Sequence, residues 1–142
     1  MEGEQLEYWL RYAVGVYGAA TLGLLHPSEL SRFSTLLLDD KAAFLAYTGL
    51  PPDALLQARM SSGVLRPAYA LAVDDRMRRV VLAVRGSLTP ADLFTDAVCV
   101  ARPVAGRGGG ALGSAHLGMT QAAENLWADP SPTANRCWPA PR

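Results

Sequence analysis

Lysine is nearly absent from this sequence: Lys41 is the only one, and arginine carries the rest of the positive charge. Basic and acidic residues balance at 13 each, so the formal net charge is zero. A balance of this kind gives no basic face, which argues against nucleic acid as a partner. Cysteine is scarce as well. Cys99 and Cys137 are too few for a disulfide framework and match no zinc spacing, so they read as free thiols in a reducing compartment. No metal or other cofactor is expected. Long hydrophobic runs are missing: Tyr12 to Leu25 is uncharged but too short to span a bilayer, and Gly15, Gly18 and Gly23 interrupt it. Met1 to Glu7 is acidic where a secretory leader needs basic residues. The expected location is therefore cytoplasmic or peripheral to a membrane.

What is present is enough apolar material for a core. Half of the 142 residues are hydrophobic, which suits about one domain. Leu6, Trp9, Leu10, Ala13 and Tyr17 recur at spacings of three and four, so one helix is expected from about Gln5 to Leu22. Ser28 is placed to cap a short helix through Leu38. Asp39 and Asp40 cap another from Lys41 to Thr48, which Gly49 ends. Pro51-Pro52-Asp53 opens a fourth through about Met60. Residues 1–62 thus read as a helical section without strands.

The pattern changes at Ser61-Ser62-Gly63. Two strand-forming runs, near 67–73 and 79–84, flank the turn Asp74-Asp75-Arg76 and predict a hairpin. A third strand is expected near 98–104, then a glycine-rich loop from Gly106 to Gly113. Gly118 to Trp127 reads as a helix. From Asp129 onward Pro130, Pro132, Pro139 and Pro141 exclude a helix or central strand. The expected divisions are 1–62, 63–128 and a Pro-rich tail, 129–142.

The junction after the second strand carries the most chemistry. The continuous run Arg79 to Val84, of the kind expected for a strand buried on both faces, ends in Arg85-Gly86-Ser87. Thr89, Pro90 and Asp92 follow as N-cap, first helical residue and capping-box acid. A glycine at a strand end, with backbone N–H groups exposed at a helix start, suits an oxyanion hole. A plain strand-to-helix turn fits the same residues. Asp92 and Asp96 share one helix face, where a cation site and a capping role both fit. Gly108 to Gly113 matches a dinucleotide-binding glycine pattern, although Ala105-Gly106-Arg107 separates it from the preceding strand.

The segments Pro67–Asp96 (PAYALAVDDRMRRVVLAVRGSLTPADLFTD) and Gly113–Leu126 (GSAHLGMTQAAENL) resemble class 3, fungal lipase-like enzymes, especially the diacylglycerol-lipase-like branch. LRYAVGVYG and DKAAFLAYTGLP resemble their helical preamble. The resemblance implies a partial α/β-hydrolase fold, with a helical N-terminal section and an incomplete sheet whose one edge is open and apolar. It implies ester hydrolysis of di- or triacylglycerol, with a lipid substrate and peripheral membrane contact. It places Ser87 in the oxyanion hole, supported by Arg85 and Gly86 at the strand end. Leu88 to Val98 falls where the family has a lid, with Leu88, Leu93, Phe94 and Val98 as its apolar residues. For Leu93, Phe94 and Val98 ordinary core packing fits equally well. His116 matches the family's His-x-Gly pair and is expected to be structural.

No serine here has glycine two residues before and two after it, so the family's Gly-x-Ser-x-Gly nucleophile elbow is missing. Ser87, Asp96 and His116 are the only trio that could replace it, and their spacing does not bring them together. The expectation is the N-terminal portion of a lipase-like hydrolase, truncated before its nucleophile and inactive alone. The alternatives are a non-catalytic interaction module and a nucleotide-binding domain through Gly108 to Gly113.

Overall fold

The computed structural model describes residues 2–25, 39–106 and 109–129. The chain is a mixture of helices and small antiparallel sheets, in two compact units. The first comprises Met1–Met60 and Ala68–Arg85, the second Ser61–Pro67 and Gly86–Arg142. Among the described residues no helix is long and apolar enough to cross a membrane. The helix expected from Ser28 to Leu38 and the tail from Pro130 lie outside the described residues.

In the first unit the helix expected from Gln5 to Leu22 is two helices, α1 (Glu2–Gly15) and α2 (Ala19–Leu25). The break is at Gly18, whose φ of 84° lies in the left-handed region that disfavours side chains. The Asp40 carboxylate fills the space a side chain there would occupy, and accepts the Ala19 N–H at 2.8 Å. Helix α3 (Asp40–Thr48) begins and ends as expected: Asp39 accepts the Lys41 N–H, and Gly49 closes it.

The fourth expected helix is not formed. Pro52–Ala54 makes one 3-10 turn, and Leu55–Arg59 is strand β1. Its Leu, Gln, Ala and Arg favour a helix, but that preference is worth only tenths of a kcal/mol per residue. Pairing with β2 (Tyr69–Asp74) outweighs it, with a register shift around Leu56. Residues 1–62 therefore include a strand, contrary to the expected all-helical section. The hairpin of β2 and β3 (Arg79–Val84) forms as expected, in unbroken register from Tyr69↔Val84 to Asp74↔Arg79. The sheet order is β1-β2-β3, so β3 is an edge strand among the described residues. It is not buried on both faces as expected: Val81 and Ala83 are covered, while Leu82 and Val84 on the other face are exposed. One sheet face presents Ala70, Ala72, Val81 and Ala83 to Tyr12, Val16, Phe44 and Leu50. Small alanines on the sheet let the aromatic residues of α1 and α3 approach closely.

The second unit holds α4 (Pro90–Ala97), β4 (Ala101–Ala105), β5 (Ala111–His116) and α5 (Leu117–Ala128). The expected third strand exists as β4, but it does not join the first sheet. It pairs with β5 in a separate two-stranded sheet. The glycine-rich stretch is thus not all loop. Gly106 N–H donates to the Gly110 carbonyl at 2.8 Å, and Ala111 opens β5. A dinucleotide fingerprint needs its glycines between a strand and a helix. Here Ala111 to His116 is strand, so that geometry is not formed; Gly108 itself lies outside the described residues.

Candidate functional site

The chain passes from the first unit to the second directly after Arg85. Arg85 extends the hairpin ladder, donating its N–H to the Ala68 carbonyl at 2.9 Å, while Nη1 reaches the Met60 carbonyl at 3.2 Å. Gly86 and Ser87 follow, both exposed. Helix α4 then starts with the expected capping chemistry, Thr89 at the N-cap and Pro90 first in the helix. Asp92 Oδ2 accepts the Leu88 N–H at 2.9 Å, the Thr89 N–H at 2.7 Å and the Thr89 hydroxyl at 2.8 Å. Burial alone would raise the Asp92 pKa. Hydrogen bonds from Leu88, Thr89 and the Ser62 hydroxyl outweigh it and bring the carboxyl to about 2. Asp92 is therefore the capping acid rather than half of a cation site. Among the described residues no group of metal-ligating side chains is gathered.

The second carboxylate of α4 has a different partner. Ser87 donates its hydroxyl to Asp96 Oδ2 at 2.7 Å, across nine residues. His116 lies against the same residue, its Nε2 3.1 Å from the Asp96 carbonyl oxygen. The Met119 N–H donates to His116 Nδ1 at 3.3 Å. Nδ1 is thus the acceptor, which assigns the ring proton to Nε2 and makes Nε2 the donor to Asp96. The trio that spacing alone did not unite is therefore in contact. It is not a proton relay. A relay needs the imidazole between the hydroxyl and the carboxylate. Here serine meets the carboxylate directly, and histidine meets a backbone carbonyl. His116 is the N-cap of α5, a structural role of the kind expected.

Further bonds hold α4 at its C-terminal end. Thr95 Oγ1 accepts the Leu65 N–H at 2.9 Å, and Asn125 of α5 donates to the Leu65 carbonyl at 2.9 Å. Gly118 lies so close to the Thr95 carbonyl that a Cβ there would collide with it. Sequence reading missed this clamp, because its members come from three separate segments. Of the lid-like residues, Leu88 is 55% and Leu93 64% exposed, so neither is in a core. Val98 is half-buried, and Phe94 lies in α4. The backbone N–H of Ser87 donates to no acceptor among the described residues.

A second polar cluster lies in the first unit, and it too was not foreseen. Asp74 is fully buried at the end of β2. It accepts the Tyr12 hydroxyl at 2.9 Å, the Arg76 N–H at 3.0 Å and the Met77 N–H at 3.3 Å. Burial opposes its charge, but the bonds from Arg76, Tyr12 and Met77 prevail and hold its carboxyl below the ordinary value. Burial above all, with the hydrogen bond to Asp74, pushes Tyr12 far above the usual phenol range. Arg76 also reaches the Thr48 carbonyl at 3.4 Å, which ties the hairpin turn to the end of α3. A cleft of ≈ 420 Å³ beside it is lined by Leu50, Asp53, Leu56 and Val73 among others. Every contact of Asp74 is internal, which makes the cluster a brace for the turn.

Compared with protein-family models, curated proteins and solved structures, the chain matches none.

Proposed function

We propose that this chain supplies the oxyanion-stabilising part of a lipase-like serine hydrolase that acts on acylglycerols, with Ser87 as the donor. The observation that carries this reading is the state of Ser87. Its side chain is pinned by Asp96, while its backbone N–H, at an exposed strand-to-helix junction, meets no acceptor among the described residues. A tetrahedral intermediate places negative charge on the former carbonyl oxygen, and a preorganised N–H stabilises that charge without reorganising. Because its proton is committed to Asp96, the Ser87 hydroxyl positions the turn and the N–H donates. Asp96 is then a positioning residue. Exposed Leu88 and Leu93 beside Ser87 suit a segment that faces lipid. The fold reading that goes with this is a partial α/β-hydrolase with a helical N-terminal section and an incomplete sheet.

The test joins this chain to a catalytic half carrying Gly-x-Ser-x-Gly and its acid and histidine, with a short-chain ester as substrate. Ser87→Pro removes the N–H and should lower kcat about 100- to 1000-fold with KM little changed. Ser87→Ala and Asp96→Asn should give smaller losses, again in kcat, and Ser87→Thr should recover most of the Ser87→Ala loss. Unchanged turnover in Ser87→Pro would leave Ser87 a plain turn residue. A second reading, a non-catalytic interaction module, is favoured by the edge of β3, unpaired among the described residues.

A further inference from the structure

Strand β3 is bonded on one side only. The Arg85 N–H donates to Ala68, so the odd residues of β3 face β2 in the alternation of an antiparallel ladder. Val80, Leu82 and Val84 therefore direct their N–H and C=O groups to the outer edge, where no strand is paired among the described residues. Their side chains share one face, and Leu82 and Val84 are 42% and 43% exposed. Edge strands are usually guarded by a proline, a bulge or an inward charge. This edge has neither proline nor bulge, and its one inward charge is Arg79.

At its N-terminal end stands Arg79, on the opposite face. Its guanidinium lies over the rings of Trp9 at 5.1 Å and Tyr8 at 5.7 Å. Nη1 is shut off from water and donates to nothing, and no carboxylate pairs with Arg79 among the described residues. An unbonded backbone edge and a cation held by rings but by no carboxylate thus lie at one place. A second copy of the chain is a poor occupant. Antiparallel pairing with Leu82 opposite itself matches the apolar side chains, but it sets Arg79 against Arg85 of the other copy, like charges directly opposed.

We propose that β3 accepts an added antiparallel strand from a polypeptide partner, apolar opposite Val80, Leu82 and Val84 and bearing a carboxylate opposite Arg79. Main-chain bonds supply affinity in this mode, and the carboxylate supplies register. The inference goes beyond the hydrolase reading, since it concerns the edge of β3 and makes no use of the Ser87 turn. Its failure would leave the Ser87 experiment untouched.

The probe is a blocked heptapeptide, Thr-Val-Thr-Val-Thr-Val-Glu, titrated into the full chain while amide exchange is followed. Binding should be saturable and should protect the amides of Val80, Leu82 and Val84. Replacing the peptide's Glu by Gln should weaken binding about tenfold, as expected for losing a charge-assisted pair. Arg79→Gln in the protein, with the fold checked by circular dichroism, should abolish that difference between the peptides. No binding, equal affinity for both peptides, or protection elsewhere would overturn the proposal. So would protection of the same amides without peptide in a concentration-dependent dimer, which would make a second copy the occupant.

Discussion

Asp92 has three donors within 3 Å at a single oxygen, and this makes the second unit sensitive to acid. Its carboxyl is depressed from 3.8 to about 2. A depressed acid stabilises the fold fully above its unfolded pKa and loses that contribution as pH falls through the folded one. The gap corresponds to about 2 kcal/mol, lost between pH 4 and pH 2. Urea midpoints measured at those two pH values should differ accordingly. Asp92→Asn should lower the midpoint at pH 7 and flatten the acid dependence. An unchanged acid slope would show that another carboxylate governs it.

Asp74 supports a second prediction of this kind. It is 0% exposed, so each lost donor leaves a buried charge less compensated. Tyr12→Phe deletes one hydroxyl and changes little volume. It should cost about 1.5–3 kcal/mol, the range for a hydrogen bond to a charged group. Thermal or urea unfolding measures this directly. A change below 0.5 kcal/mol, on the order of a neutral surface substitution, would mean that Arg76 and the turn N–H groups suffice for Asp74. Neither acid was recognisable as buried in the sequence. Asp92 matched a capping pattern, which is local, but Asp74 looked like ordinary turn material. Its burial depends on Tyr12, 62 residues away.

Helix α4 is short, and its place depends on contacts beyond its own hydrogen bonds. Gly118 permits the close approach of α5 to the Thr95 carbonyl. Gly118→Ala should push the helices apart and destabilise the second unit by about 1–3 kcal/mol, the usual cost of overpacking. Amide exchange in α4 should accelerate more than exchange in β2. Equal exchange in both would show that α4 is not held by this contact. The elements themselves were unevenly legible. The β2–β3 hairpin, α3 and α5 announce themselves by apolar periodicity and by caps within a few residues. Strand β1 did not, because its residues are good helix formers. The pairing of β4 with β5 was hidden by glycines that read as loop.

As a whole, the chain brings a serine, an aspartate and a histidine together without making a nucleophile of the serine. Ser87 donates its hydroxyl to the Asp96 carboxylate, a weak base, and among the described residues no imidazole is hydrogen-bonded to its oxygen. Hydrolysis of a short-chain nitrophenyl ester by this chain should stay at the uncatalysed rate, and Ser87→Ala should leave that rate unchanged. A burst of product that Ser87→Ala abolishes would mean that this serine is itself a nucleophile.

Charge balance, the missing elbow, the hairpin and the capping box are local properties, readable wherever neighbouring residues decide the outcome. The edge position of β3, the strand state of Leu55 to Arg59 and the Ser87–Asp96 bond are not. Each depends on a partner that the fold brings in from elsewhere in the chain. A strand becomes an edge when nothing pairs beyond it. A helix-forming segment becomes a strand when an unpaired ladder is at hand, because unmet backbone hydrogen bonds outweigh propensity. A serine and an aspartate nine residues apart meet only once Pro90 to Ala97 has coiled into a helix that returns Asp96 to the turn.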